Sequence, residues 1–378
     1  MTFSYAMFQG GFVSWFLFYA TLPFLFFACI IYFYPTTKLS VTRSFSETDL
    51  TRGQALDVFV TLKRSDWWPL YYAKVTDLHP FGHLEKQQRV IFLGFRREIT
   101  LYYSIANLPR GSYTFEATEV ELVDLLGWVR KNRIVEEKQT LLVYPKTIDL
   151  TYMPIAANFD QGAALARYQL HKESTVATGV REYQPGDRVS WIHWKSFAKN
   201  QTLRTKDFEE RQAQDTLLYL DRTAAEGFDD TIDFTLSLIS AMTKSDATGA
   251  FIAPGPGGLE LPVVTHQGHY EKARRHLATL EAVSEKQMLR MLTEEGRLGK
   301  YKGVLYITSH LQRQCVEALV RATPQVREGI CFVIQPEQKK QMEIVDSKEA
   351  TYLKARGWNV VTLTPSQFTE AFREVGQR

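Results

Sequence analysis

The first 37 residues constrain this chain more than any other stretch. From Thr2 to Thr37 no side chain carries a charge, and FVSWFLFYATLPFLFFACIIYFY, Phe12 to Tyr34, is built mostly of Phe, Leu, Ile, Tyr and Trp. At the helical rise that run reaches about 35 Å, enough to cross a hydrocarbon core about 30 Å thick. A membrane-spanning helix within residues 1–37 is therefore predicted, and Pro23 in its middle is tolerable in a membrane helix. A signal peptide would need a basic start, a shorter apolar stretch and a small-residue cleavage site, none of which is present. Lys38 and Arg43 follow the run while nothing basic precedes it. The positive-inside rule then predicts a chain held in the cell membrane by a single pass or a hairpin, with its bulk in the cytoplasm.

Composition bounds the remainder. With 378 residues, 45% apolar and 23% charged, the chain suits two or three folded domains rather than disorder. A formal net charge of +3 supplies no bulk field for nucleic acid, and no nucleic-acid partner is expected. Cys29, Cys315 and Cys331 have neither metal-like nor disulfide-like spacing, which fits a reducing compartment.

After the apolar run the periodicity becomes two. Ala55 to Arg64 places Leu56, Val58, Val60 and Leu62 on one face of a half-buried strand. Arg89 to Phe95, Glu98 to Ile105, Ser112 to Leu122 and Gln139 to Pro145 read the same way, separated by turns such as Pro109-Arg110-Gly111. An antiparallel β-sandwich over residues 38–150 is predicted. His79 and His83 are separated by Pro80 and Gly82 and lack a third donor, so no metal is expected there.

From Gln214 to Arg378 strands alternate with helices. Asp215 to Asp221 is a buried-strand run followed by an amphipathic stretch, Asp229 to Lys244, and the rhythm continues to the C-terminus. This predicts a three-layer, doubly wound α/β domain, so the fold class is α/β plus all-β. Ligands of such sheets bind beyond the carboxyl ends of the strands, which points to Asp221–Ala225 and Thr308–His310. No catalytic constellation accompanies the fold. The loop Pro254 to Gly258 precedes a strand rather than a helix and reads as a hairpin or crossover turn, and there is no Walker lysine, nucleophile elbow or H-E-x-x-H.

Residues 151–213 link the two domains and contain REYQPGDRVSWIHWK, Arg181 to Lys195. Pro185-Gly186 suits a tight turn, and Asp187 suits the N-cap of a short helix carrying Arg188, Trp191, Trp194 and Lys195. Charges such as Arg181, Glu182, Asp187 and Arg188 beside Tyr183 and two tryptophans must be paired if buried. The segment reads as a structural clasp between domains; the alternative is a ligand-binding or hydrolytic enzyme working at this turn.

The run Gly179 to Asp221 has the pattern R-E-Y, a spacer, P-G-D, then R, I-x-W-K, a basic strand with F-E, and a strand ending in Asp. It resembles the signature of the domain-of-unknown-function family fifty-eight, and LPRGSYTFEATEVELVDLLGW upstream is similar to that family's R-G-x-Y and D-x-x-G elements. The resemblance implies a membrane-anchored bacterial protein with a von Willebrand factor A-like C-terminal half, associated with a MoxR-type AAA ATPase and often with a membrane transglutaminase-like protein. Members usually carry two membrane helices. Here one span and the short Met1 to Gly11 remain, so either a first helix is missing from this start or one span suffices.

The same resemblance implies a place for Mg²⁺, held in such domains by D-x-S-x-S and by hydroxyl and carboxylate oxygens from later loops. Asp221 fits and Thr223 keeps a hydroxyl, but Ala225 lacks the second one and His310 stands where an aspartate is expected. With about half the oxygen donors absent Mg²⁺ is disfavoured and no cofactor is expected; the alternative is Asp221 paired with Arg222 or another base. The resulting expectation is an interaction or adaptor protein on the membrane rather than an enzyme, in contact with lipid and an AAA ATPase.

Overall fold

The computed structural model describes every residue except 81–86, 154–176, 183–192, 201–202, 209–215, 246, 297, 325, 327, 338–347 and 373–378. The chain forms two compact units, Met1–Pro145 and Lys146–Arg378.

In the first unit a short helix, α1 (Thr2–Gln9), turns at Gly10 and Gly11, both at positive φ, and folds back on α2 (Phe12–Phe33). Phe3 and Phe18 rings lie 5.5 Å apart across this hairpin. With a mean hydropathy of 2.1 and most of its apolar side chains exposed, α2 is long and apolar enough to cross a membrane. Its last turns are different. Ile31 and Tyr34 are buried in the core of the β structure that follows, and Phe27 meets Tyr71 edge-on at 4.6 Å.

That β structure comprises a three-stranded and a five-stranded sheet. The first runs β1 (Leu39–Phe45), β3 (Leu56–Arg64), β6 (Glu98–Ile105), all antiparallel. The second has the order β2 (Leu50–Thr51), β8 (Arg130–Tyr144), β7 (Gly111–Val123), β4 (Leu70–Leu78), β5 (Gln87–Gly94). Leu56, Val58, Val60 and Leu62 are all buried, as the alternation predicts. Two strands break that alternation. In β1 the inward position after Val41 is Arg43, and in β4 Val75, Thr76 and Asp77 are buried in succession. A buried ion pair explains both: Arg43 Nε donates to Asp77 Oδ2 at 3.1 Å, Nη2 pairs with Asp77 Oδ1, and Tyr103 and Thr118 donate hydroxyls to the same carboxylate. Arg43 is therefore not a free flanking charge after the apolar run; Lys38 is exposed there, and Lys131 reaches back to the Tyr34 carbonyl at 3.0 Å. Strand β8 begins nine residues before Gln139, the start read from the sequence, because its charged first half pairs with β7 across a surface half open to solvent.

The second unit is built on a six-stranded sheet of order β13-β12-β11-β14-β15-β16, where β11 is Thr216–Leu220, β12 Gly249–Ala253, β13 Leu259–Val264, β14 Gly303–Thr308, β15 Glu328–Ile334 and β16 Trp358–Leu363. Every pairing is parallel except β12 with β13, a hairpin closed by Pro254–Gly258. Helices α4 (Phe228–Lys244) and α5 (Gln267–Thr279) belong to one hydrophobic core with the sheet, and α6 (Glu285–Glu294), α7 (Arg313–Ala322) and α8 (Lys348–Ala355) to the other. Helix α4 is buried almost throughout; Thr231, Thr235 and Ser237 bond to carbonyls one turn back, which lets polar residues occupy an apolar layer. Residues after Pro145 join this unit: Asp233 Oδ1 accepts the Lys146 amide at 2.8 Å, and Tyr152 lies in its core. After β16 a 3₁₀ turn, Pro365–Glu370, started by Pro365 and a Thr364/Gln367 capping box, leads into helical residues Ala371 and Phe372.

Candidate functional site

Strand order places the candidate edge. The chain leaves β11 for β12 on one side and reaches β14 on the other, so the switch point of the sheet lies between β11 and β14. Their carboxyl ends carry Asp221 and Thr308, and the Asp221 amide continues the ladder by donating to Ile307 O at 2.8 Å.

The Asp221 carboxylate is 3% exposed and receives donors at both oxygens. Oδ1 accepts the Thr223 amide at 2.9 Å and the Thr223 hydroxyl at 2.6 Å. Oδ2 accepts the Tyr306 hydroxyl at 2.8 Å and lies 2.8 Å from Thr308 Oγ1, whose single proton it shares with the His310 carbonyl. Burial, and then the Asp221 charge, raises the Tyr306 pKa well above its ordinary value, so Tyr306 stays a donor.

Arg222 points elsewhere. Its guanidinium, also buried, donates to the carbonyls of Pro254, Pro256 and Glu281 at 2.6 to 3.1 Å. The pairing of Asp221 with Arg222 weighed from the sequence is thus replaced by hydroxyls on the acid and carbonyls on the base. The second loop is stitched to the first: Val283 N donates to Arg222 O at 2.7 Å and Ala224 N to Val283 O at 2.9 Å. Asp221, Arg222 and Thr223 are thereby locked, while Ala224, Glu226 and His310 form an exposed rim.

This donor set does not suit Mg²⁺. The carboxylate oxygens are already engaged by four hydrogen-bond donors, a buried guanidinium follows in sequence, and among the described residues no three His, Cys, Asp or Glu side chains converge on one point. The His266 and His269 rings stack at 3.7 Å, but His266 Nδ1 accepts the Gly268 amide and caps α5, a structural use.

Two consequences are measurable. A Cβ on Gly258 would lie 2.3 Å from Ala253 O and 2.6 Å from Gly255 O, backbone atoms that cannot turn aside. Gly258→Ala is expected to open the Pro254–Gly258 loop, detach it from Arg222 and cost roughly 1–3 kcal/mol in urea unfolding. The second concerns Cys315 on α7. Burial, aided by the Asp221 charge, pushes its thiol from 9.0 up to about 12. An acid whose folded pKa is raised stabilises the fold fully below its unfolded value and loses that contribution as pH climbs toward the folded one. The urea midpoint should fall between pH about 9 and about 12, and fall less in Cys315→Ala.

The signature segment is seen in part. Strand β9 (Ala177–Glu182) pairs antiparallel with β10 (Arg204–Phe208), setting Arg181 opposite Thr205 and Glu182 opposite Arg204. Helix α3 (Trp194–Asn200) begins at Trp194, and both Trp194 and Lys195 are exposed. Tyr183, Pro185, Gly186, Asp187, Arg188 and Trp191, including the N-cap role given to Asp187, lie outside the described residues. Thr308 falls in the Thr308–His310 stretch that the sheet rule points to, but neither it nor Tyr306 is identified from sequence as a partner of Asp221; Tyr306 stands within the apolar run of β14 with nothing local to mark it.

Residues 179–344 match the family model described as "Protein of unknown function DUF58". An uncharacterised protein of Bacillus subtilis, YeaD, is 34% identical over 304 residues, covering 79% of this chain and 76% of that protein. Among solved structures, the putative ApaA protein from Bordetella pertussis is 11% identical, covering 28% of this chain and 91% of its own, with a TM-score of 0.20. Spo0M, a sporulation control protein from Bacillus subtilis, is 12% identical, covering 39% and 58%, with a TM-score of 0.16. These TM-scores are too low to speak for a common fold.

Proposed function

Because the chain belongs to the DUF58 family of proteins of unknown function, we propose that it is a membrane-anchored interaction protein whose α/β unit, von Willebrand factor A-like in type, presents the β11–β14 end to a partner in the cytoplasm. The observation that carries this reading is the self-satisfied network beneath an exposed rim. Asp221, Thr223, Tyr306 and Thr308 spend their hydrogen bonds on one another, which suits a rigid platform better than a reaction centre. Loops on such a platform suit recognition, since the sheet holds them in one arrangement. The partner is a MoxR-type AAA ATPase, with a membrane transglutaminase-like protein as a further associate, and engagement needs no metal.

The test is capture of the tagged full-length chain from its own membranes in mild detergent, with and without ATP. Recovery of an AAA ATPase that depends on nucleotide and is lost in Ala224→Arg or His310→Glu, rim changes that spare the buried network, supports the reading. Equal recovery from wild type and both variants would remove this edge as the contact. Recovery of no ATPase would remove the adaptor role.

A further inference from the structure

The two ends of the first unit differ sharply in chemistry. The strand register gathers one set of loops at the end where α2 enters: Leu39 pairs with Arg64, Lys63 with Glu98, Leu70 with Gly94, and Val123 with Arg130. Those loops display Trp67 (68% exposed), Trp68, Phe95, Leu125, Leu126 and Trp128 (64% exposed). In the described loops of the opposite end, 46–49, 52–55 and 106–110, no large apolar side chain is exposed.

The display is built in. The buried Arg64 guanidinium donates to the carbonyls of Gly94 (2.9 Å), Arg96 (2.7 Å) and Trp68, tying the β3–β4 and β5–β6 loops together from below. The β7–β8 turn closes on Asp124, whose Oδ1 accepts the Val129 amide at 3.0 Å, with Gly127 at φ 72°. Backbone groups of all three loops are thus engaged from within while six large apolar side chains face outward, an arrangement that marks a surface for a partner or a membrane. Lys38, Arg96, Arg97 and Arg130 are exposed around them; of the acids at this end Asp66 and Asp124 are buried, and the exposed Glu98 is paired with Lys63 at 3.1 Å. The exposed Tyr32 and Phe33 of α2 continue the same apolar surface into the helix.

We infer that this end of the first unit docks on the membrane itself, with Trp67, Trp68, Phe95, Leu126 and Trp128 among the headgroups and the surrounding bases on anionic lipid. Tryptophan is enriched at the membrane–water interface, and basic residues beside a spanning helix are drawn to anionic headgroups. The inference rests on α2 being the anchor. It adds that the first unit is seated on the bilayer and does not swing from the helix.

The test uses the full-length chain in a Cys29→Ala background, since Cys315 and Cys331 are buried. Spin labels are placed singly at Phe95→Cys, Leu126→Cys, Glu47→Cys on the opposite end, and Leu22→Cys within α2. The protein is reconstituted in phosphatidylcholine vesicles with and without phosphatidylglycerol. The expected result is a several-fold loss of collision with a water-soluble relaxation agent at 95 and 126, none at 47, and weakening of that protection when the anionic lipid is omitted or in Arg96→Glu/Arg97→Glu. Labels at 95 and 126 as water-accessible as that at 47, with the label at 22 in lipid, would overturn the docking and leave the anchor standing. A label at 22 in water would overturn both. Protection of 95 and 126 in native membranes but not in either vesicle would assign this end to a protein and reject the lipid.

Discussion

Asp221→Ala lowers the stability of the α/β unit by about 3 kcal/mol, because up to four donors lose their acceptor in a site that water does not reach, and each unsatisfied buried donor costs roughly 1–3 kcal/mol. The sum stays below four full penalties: the Thr308 proton turns to the His310 carbonyl, and removing the acid removes its own desolvation. Hydrogen exchange on the full-length chain in detergent reads this directly, as roughly a hundred-fold loss of protection in the amides of β11 and β14 with the first unit unchanged. Thr223→Val, which removes one donor and keeps the acid, should lose about 1 kcal/mol. Added Mg²⁺ or Mn²⁺ should leave protection in wild type where it was; an increase abolished by Asp221→Ala would mean the carboxylate exchanges its hydroxyl donors for a metal.

A larger loss is expected in the first unit. Asp77→Ala strands the buried Arg43 guanidinium, and breaking a buried pair from one side costs about 3–5 kcal/mol. Arg43, on β1 of the three-stranded sheet, is held by the five-stranded one: by Asp77 on β4 and Thr118 on β7, by the Glu137 carbonyl on β8, and by the Phe115 ring 5.1 Å beneath it. The same cluster takes the hydroxyl of Tyr103 on β6, whose pKa burial and the Asp77 charge push upward. Loss of the acid should therefore loosen both sheets together, with exchange rising in β1, β4 and β7 alike. The double change Arg43→Met/Asp77→Leu should recover most of the loss, since an apolar pair of similar volume needs no partner. Full recovery is not expected, because Tyr103 and Thr118 still lose their acceptor. If the double variant is no more stable than Asp77→Ala, the stranded charge is not the cause.

Different features of the chain were legible to different degrees. The apolar helix is visible because its signal is local: Phe12 to Phe33 has the length and lack of charge that a bilayer requires, whatever else the chain does. The strand–helix alternation of the second unit is equally local, since apolar runs such as Thr216–Leu220 and Gly303–Thr308 are buried on both faces and bounded by turns. Strands β1 and β4 were hidden for the opposite reason. Each turns a charge inward, and a charge at an inward position looks like a break in the pattern until its partner, 34 residues away in sequence, is brought beside it.

Sequence by itself thus determined the apolar helix, the two kinds of periodicity, the family and the aspartate at the end of β11, because each is written in neighbouring residues or in a short motif. Only the tertiary structure decided how those pieces are used. It set Tyr306 and Thr308 on Asp221 across some 85 residues, turned Arg222 away from that acid toward three carbonyls, and collected the exposed aromatics of three separate loops at one end of the first unit. The physical reason is common to all three. Hydrogen bonding and exposure belong to positions in space, and strand pairing joins residues whose separation along the chain carries no trace of their contact.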